Sequence, residues 1–311
     1  MVAVTGAGGY LGSRLVSTLA PESTRALVRK AAPFLPPALE QVELDLLTEE
    51  ARLADALAGV DAVVHLAGPN ETFAALDPER ALAETSLATQ RVIRAASSAG
   101  VRRVVYVSSV HVYGAKLVSG AIIDEATVPA PRSTYAIARL ASEHLVGQAA
   151  EAGLEVVILR LTNAVGAPAA LEVDRWSLVA SDLARQAVRT GDMVLRSSGQ
   201  QWRDFIALGD VCAAVRACTG TTIASGTYNL ASGSALTVRA LAELIADGFA
   251  VRTGTRPRLR SARPQADPPG PYTVAVGRLE AAGWEASVGL IDAVDELISF
   301  CLNNKGALAD E

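Results

Sequence analysis

Residues 5 to 15 read Thr5-Gly6-Ala7-Gly8-Gly9-Tyr10-Leu11-Gly12-Ser13-Arg14-Leu15, which sets glycines at 6, 9 and 12 between a Val-rich run and a helix-like stretch. Without side chains at those positions the turn can be tight. The backbone can then approach a pyrophosphate, which the free N–H groups of the helix start at Tyr10 and Leu11 stabilise. A strand before, a helix after and a place at the head of an alternating chain make this a dinucleotide cradle. The second apolar run, Ala26-Leu27-Val28, ends in Arg29. A carboxylate there would accept from ribose hydroxyls, whereas a guanidinium pairs a 2′-phosphate bidentately and offers no acceptor. NADP(H) is therefore favoured over NAD(H), the alternative being a solvated surface arginine with the adenosine lying across it. Asp45, with Leu46 beside it after the third run, can accept from an adenine amino group and can equally open the next helix as its cap.

The elements that must position these residues are legible in the spacing. Short Val, Ile and Leu runs recur at Val2 to Thr5, Arg25 to Val28, Val42 to Leu44, Ala62 to Leu66, Val104 to Val107 and Val156 to Leu161. Helix-like stretches follow the early ones. One is predicted to open at the Asp77 cap and Pro78 and to run unbroken to Gly100. Another, from Ser133 to Gly153, carries Tyr135, Arg139 and Glu143 on one face at i, i+4 and i+8. Further helices are expected from near Thr237 and near Leu290, on either side of a Pro-rich stretch from Arg256 to Pro271. Alternation of this kind predicts an α/β chain with a doubly wound parallel sheet, whose ligands sit at the carboxyl ends of the strands. The expected organisation is a dinucleotide-binding domain over residues 1–168, to which 203–232 return, with a smaller irregular substrate subdomain from 169–202 and 233–311.

Composition narrows the class. The chain has 311 residues, half of them hydrophobic, and a formal net charge of −5. That is globular, with length for a large core, and its mild acidity without basic runs gives nucleic acid no electrostatic footprint. No run approaches the roughly 18 apolar residues of a membrane span. The start reads directly as a strand and not as a signal peptide, so a cytoplasmic protein is expected. Cys212, Cys218 and Cys301 have neither close CxxC spacing nor a neighbouring His, and read as buried hydrophobes rather than metal ligands.

Several motifs together resemble the extended short-chain dehydrogenase/reductase family. They are His65-Leu66-Ala67-Gly68, Val107-Ser108-Ser109-Val110-His111-Val112-Tyr113-Gly114, and Tyr135-Ala136-Ile137-Ala138-Arg139 with Glu143. Arg160 to Gly166 with Asn163, Arg203-Asp204-Phe205, Tyr228 to Gly233, and Gly283-Trp284 match its nucleotide-sugar epimerase, dehydratase and ketoreductase branch. The resemblance implies hydride transfer between nicotinamide and a carbinol or carbonyl carbon. It assigns proton exchange to Tyr135, a hydrogen bond to the reacting oxygen to Ser109, and cofactor contacts to Leu66, Ala67 and Gly68. A free tyrosine near pH 7 needs about 4 kcal/mol to hold phenolate, about what one cation at ~4 Å supplies at an effective dielectric of ~20. In the family the oxidised nicotinamide supplies part of this, and a lysine four residues after the tyrosine supplies the rest and holds the nicotinamide ribose.

Here that residue is Arg139, and the three lysines of the chain, Lys30, Lys116 and Lys305, stand elsewhere. An arginine keeps the charge and the donors but cannot release a proton. Thr85 replaces a frequent Asn, and Val110-His111 replace the Asp-Glu pair that dehydratases of the branch use, which disfavours water elimination. The resemblance places Asn163, Arg203 and Arg263 on a nucleotide-sugar diphosphate. His111 reads as an auxiliary acid near the substrate or as a packed or solvated histidine. Trp176 and Trp202 offer faces to a base or sugar, or pack in the core. The leading expectation is NADP(H)-preferring reduction of a keto sugar, such as a 4-keto deoxyhexose, carried on a nucleotide. The alternatives are a 4-epimerase with tightly held NAD, a dinucleotide-binding regulator or scaffold without catalysis, and a ketoreductase acting on another small molecule. A homodimer is implied by resemblance.

Overall fold

The computed structural model describes residues 1–262 and 270–309, so Arg263 lies outside the described residues. In chain order the first strands are β1 (Val2–Thr5), β2 (Thr24–Val28), β3 (Glu40–Glu43), β4 (Ala62–His65), β5 (Arg103–Ser109), β6 (Ile122–Ile123) and β7 (Glu155–Leu161). They are followed by β8 (Asn163–Val165), β9 (Asp192–Leu195), β10 (Trp202–Ala207), β11 (Gly226–Leu230), β12 (Ala235–Thr237), β13 (Arg258–Ser261) and β14 (Thr273–Val274). The main sheet has seven strands in the order β11-β7-β5-β4-β1-β2-β3, all neighbours parallel. It is the α/β Rossmann-type sheet that the alternation predicts. All seven residues of β5 are buried, which is why its apolar run is nearly continuous. β3 falls two residues earlier than its apolar run because it is an edge strand, where Glu40 and Glu43 remain exposed.

Helices cover both faces. The Tyr10–Val16 and Leu208–Thr219 helices share one core with the sheet, and the Glu50–Ala56 and Ala88–Ser98 helices close another. Strand order reverses between β1 and β4, so the loops that leave these two strands open a crevice at their carboxyl ends. The helix expected to run from Asp77 to Gly100 is not uniform. Pro78–Leu82 leads into a wider π turn at Ala83–Leu87 before α-helix resumes at Ala88. Such turns insert a residue and re-aim side chains, and this one carries Glu84 and Thr85.

A second core gathers the Val179–Thr190, Val238–Thr253 and Leu290–Asn303 helices beside the β12-β10-β8 sheet and the β13-β9 pair. Trp176 is 7% exposed within it, against Phe300, so it packs as core and not on a ligand. Trp202 is half-buried on β10. The three cysteines are buried, and burial pushes each thiol up to about 12.

Candidate active site

A cleft of about 670 Å³ runs along the carboxyl ends of β1, β2, β4, β5 and β7. Gly6, Gly9, Tyr10, Leu11 and Gly12 form one wall. Gly6 sits at φ 69°, and a Cβ there would come within 2.9 Å of the Ala67 nitrogen; at Gly12 it would come within 2.1 Å of the Gly6 carbonyl. Only glycine lets the loops after β1 and β4 approach this closely. The Tyr10–Val16 helix begins at Gly9 with no side-chain cap, which leaves its first N–H groups for an anion. Leu66, Ala67 and Gly68 face the glycines across the crevice, and Asp45 and Leu46 close the far end. Asp45 also accepts from the Leu47 N–H at 2.7 Å, so it caps its own loop while lining the cleft. These walls fit a dinucleotide.

At the end of the cleft where the resemblance expects catalysis, β5 delivers Ser109 and the Thr134–Glu151 helix, capped by Ser133, delivers Tyr135 one turn before Arg139. The Arg139 guanidinium carbon lies 5.3 Å from the Tyr135 ring centroid, and the His111 ring meets that ring edge-on at 6.1 Å. Arg139 is 6% exposed. Its Nη1 donates to the Val107 carbonyl at 3.3 Å and to the Tyr106 hydroxyl at 3.5 Å, while Nε has no hydrogen-bond partner among the described residues. Burial opposes the charge, but Tyr135 and Tyr106 hold the group above the ordinary arginine value. A Cβ on Gly68 would stand 3.1 Å from Arg139 Nη2, which places the guanidinium on the cleft wall. Ser109 Oγ accepts from the His111 N–H at 3.2 Å and makes no hydrogen bond to Tyr135 among the described residues.

Behind this site runs a buried polar chain that the sequence reasoning missed. His65 Nδ1 lies 2.7 Å from Thr5 Oγ1 and its Nε2 3.0 Å from Thr89 Oγ1, which donates on to the Thr85 carbonyl. Burial, and then the Arg139 charge, push His65 to about 3, so the imidazole stays neutral. The available signal was a polar residue ending an apolar strand, at Thr5 and again at His65. Glu143 belongs to a separate pair. It accepts from Arg160 Nη2 at 2.7 Å and from Ser108, while Arg160 lies over the Tyr113 ring. Its polar atoms therefore join β5 and β7 and do not face the cleft walls.

At the substrate end Asn163 lines the cleft just after β7, with Nδ2 donating to the Asp204 carbonyl at 2.8 Å. Asp204 is buried and accepts from Thr162 and Ser232, so the acid of the Arg-Asp-Phe motif ties β10 to its neighbours. Burial and the nearby Arg203 charge lower the His111 pKa, and Glu71 opposes them. Arg203 itself is half-buried and lies outside the cleft walls. Arg175, unanticipated from sequence, reaches the same end and pairs with Glu71 at 2.8 Å. At the opposite end Arg29 is on the wall but is not free, since Glu84 holds it at 3.0 Å.

The NAD dependent epimerase/dehydratase family model matches residues 2–231. Over 309 residues the chain is 32% identical to dTDP-6-deoxy-L-talose 4-dehydrogenase (NAD(P)(+)) from Kitasatospora kifunensis, covering 95% of this chain and 94% of that one. It is 31% identical over 261 residues to GDP-6-deoxy-D-mannose reductase from Pseudomonas aeruginosa, covering 78% of each. Among solved structures, MoeE5 in complex with UDP-glucose and NAD superposes with a TM-score of 0.83 at 29% identity, over 97% of this chain and 99% of that one. A glycine cradle, a Ser109–Tyr135–Arg139 cluster and these relatives lead to one assignment: the chain belongs to the NAD-dependent epimerase/dehydratase family and is an NAD(P)-dependent enzyme of the extended short-chain dehydrogenase/reductase type.

Proposed function

We propose that this enzyme reduces a keto group, such as the 4-keto group of a deoxyhexose, on a nucleotide-activated sugar, with NADP(H) preferred to NAD(H). The observation that carries the reading is the convergence of Ser109, Tyr135 and Arg139 on the glycine-lined cleft, with Val110 and His111 where a dehydratase would need its acidic pair. When bound, the nicotinamide cofactor supplies the hydride. Tyr135 gives its phenolic proton to the carbonyl oxygen, and Ser109 donates a hydrogen bond to the same oxygen. Arg139 stabilises the phenolate left behind and donates to hydroxyls in the cleft, but it cannot pass a proton on. Tyr135 is half-buried rather than sealed, so it recovers its proton from solvent. Asn163 and Arg175 on the cleft wall are the donors for a diphosphate, with the Arg203 charge near His111, and His111 is the neutral neighbour of the reacting carbon.

Exposed Leu82, Leu87 and Ile137 on the helices beside the catalytic strand support a homodimer. The test is turnover of nucleotide-linked 4-keto sugars with NADPH, together with analysis of cofactor after purification. Stoichiometric loss of NADPH with alcohol formation supports the reductase. Tightly retained NAD with interconversion of two epimers overturns it in favour of the epimerase.

A further inference from the structure

Arg29 directly follows β2 with 63% of its side chain exposed, yet its Nη2 lies 3.0 Å from Glu84 Oε2. Glu84 projects from the π turn and is only 10% exposed. Its other oxygen accepts from Arg80 Nε at 2.7 Å, so one carboxylate bridges two guanidinium groups. Arg29, Lys30 and Glu84 all line the cleft, whereas Arg80 stands behind them on the surface, 57% exposed.

We infer that Glu84 is a specificity-determining residue: by holding Arg29, it restrains the preference for a dinucleotide bearing a 2′-phosphate and keeps NAD(H) usable. The inference rests on the reading of Arg29 as the partner of that phosphate. A 2′-phosphate carries close to two negative charges. To reach Arg29 it must either take the guanidinium from Glu84 or lie beside a carboxylate that the protein screens from water. A dinucleotide with plain ribose hydroxyls meets no such opposition. Arg80 moderates the effect by neutralising part of the Glu84 charge. Local charge alone therefore orders the variants. Removing the acid strengthens phosphate binding, and removing Arg80 weakens it.

The experiment is calorimetric titration of the purified enzyme with NADP+ and with NAD+, on wild type, Glu84→Gln, Arg80→Ala and Arg29→Ala. Glu84→Gln is expected to tighten NADP+ about tenfold with NAD+ changed less than about twofold. Arg80→Ala, a surface truncation away from the cleft walls, is expected to weaken NADP+ about threefold and leave NAD+ alone. If Glu84→Gln and Arg80→Ala leave the ratio of the two Kd values unchanged while Arg29→Ala weakens NADP+, the inference about Glu84 fails and the role of Arg29 stands. If Arg29→Ala binds NADP+ as wild type does, the reading of Arg29 fails and takes the inference with it.

Discussion

The two ends of the cleft hold their arginines in opposite ways. Arg139 at the nicotinamide end is 6% exposed, held by a backbone carbonyl and a tyrosine hydroxyl, and faces no carboxylate within ion-pair distance among the described residues. Arg29 at the adenosine end is open to solvent and paired with Glu84. A charge that packing holds in place keeps one geometry and acts at full strength on its neighbour. A charge that an ion pair holds at the surface is screened, and its effect can be traded against its partner. On the proposed function, chemistry would depend on the first end and choice of cofactor on the second.

If that contrast holds, the largest losses follow from changes at the buried end. Tyr135→Phe removes the proton donor and should lower kcat about a thousandfold, with dinucleotide affinity from equilibrium titration nearly unchanged. A fall of less than tenfold would leave the phenol without a chemical role. Arg139→Met deletes the buried charge and should cost about a hundredfold in kcat, with the pH at half-maximal activity moving upward. Arg139→Lys is expected to recover only part of this, because the ammonium ends short of the Nη1 position that serves both Val107 and Tyr106. Full recovery would show that nothing in the site is specific to guanidinium. At the other end, the roughly tenfold change expected for Glu84→Gln is confined to the ratio of cofactor affinities.

A separate effect concerns stability rather than rate. The unfolded chain protonates His65 near its ordinary value of 6.5, whereas the folded chain resists protonation until about 3. This contribution is complete above pH 6.5 and is lost as pH falls from 6.5 toward 3, at a limit of about 1.4 kcal/mol per pH unit. His65→Gln should remove one proton from the uptake on unfolding between pH 6.5 and 5, seen as a shallower fall of the denaturation midpoint. An identical pH dependence in the variant would show that His65 titrates normally.

Much of what lines the candidate site was legible because its signals are local. Glycines at 6, 9 and 12 constrain a turn within a few residues, and the strand-end positions of Ser109 and Asn163 follow from where apolar runs stop. The i, i+4 spacing puts Tyr135 and Arg139 on one helical face whatever the rest of the chain does. The break at the π turn was not legible, since Asp77-Pro78 and the apolar pattern through Ala96 describe an uninterrupted helix equally well. Nor was the pairing of Glu143 with Arg160, whose register is set by the apposition of Ser108 and Arg160 across β5 and β7.

The excess of arginine over lysine shows the division most clearly. Sequence alone determined that the residue after Tyr135 by one helical turn is an arginine, and that the lysines lie elsewhere in the chain. It also determined that the second strand ends in a cation rather than an acid. What each guanidinium does was decided by residues distant in the chain: Tyr106 and Val107 beside Arg139, and Glu84, 55 residues away, beside Arg29. The physical reason is that helical spacing fixes directions over a turn or two, while an ionic group's charge is realised or spent according to the burial and partners that only the folded sheet brings within reach.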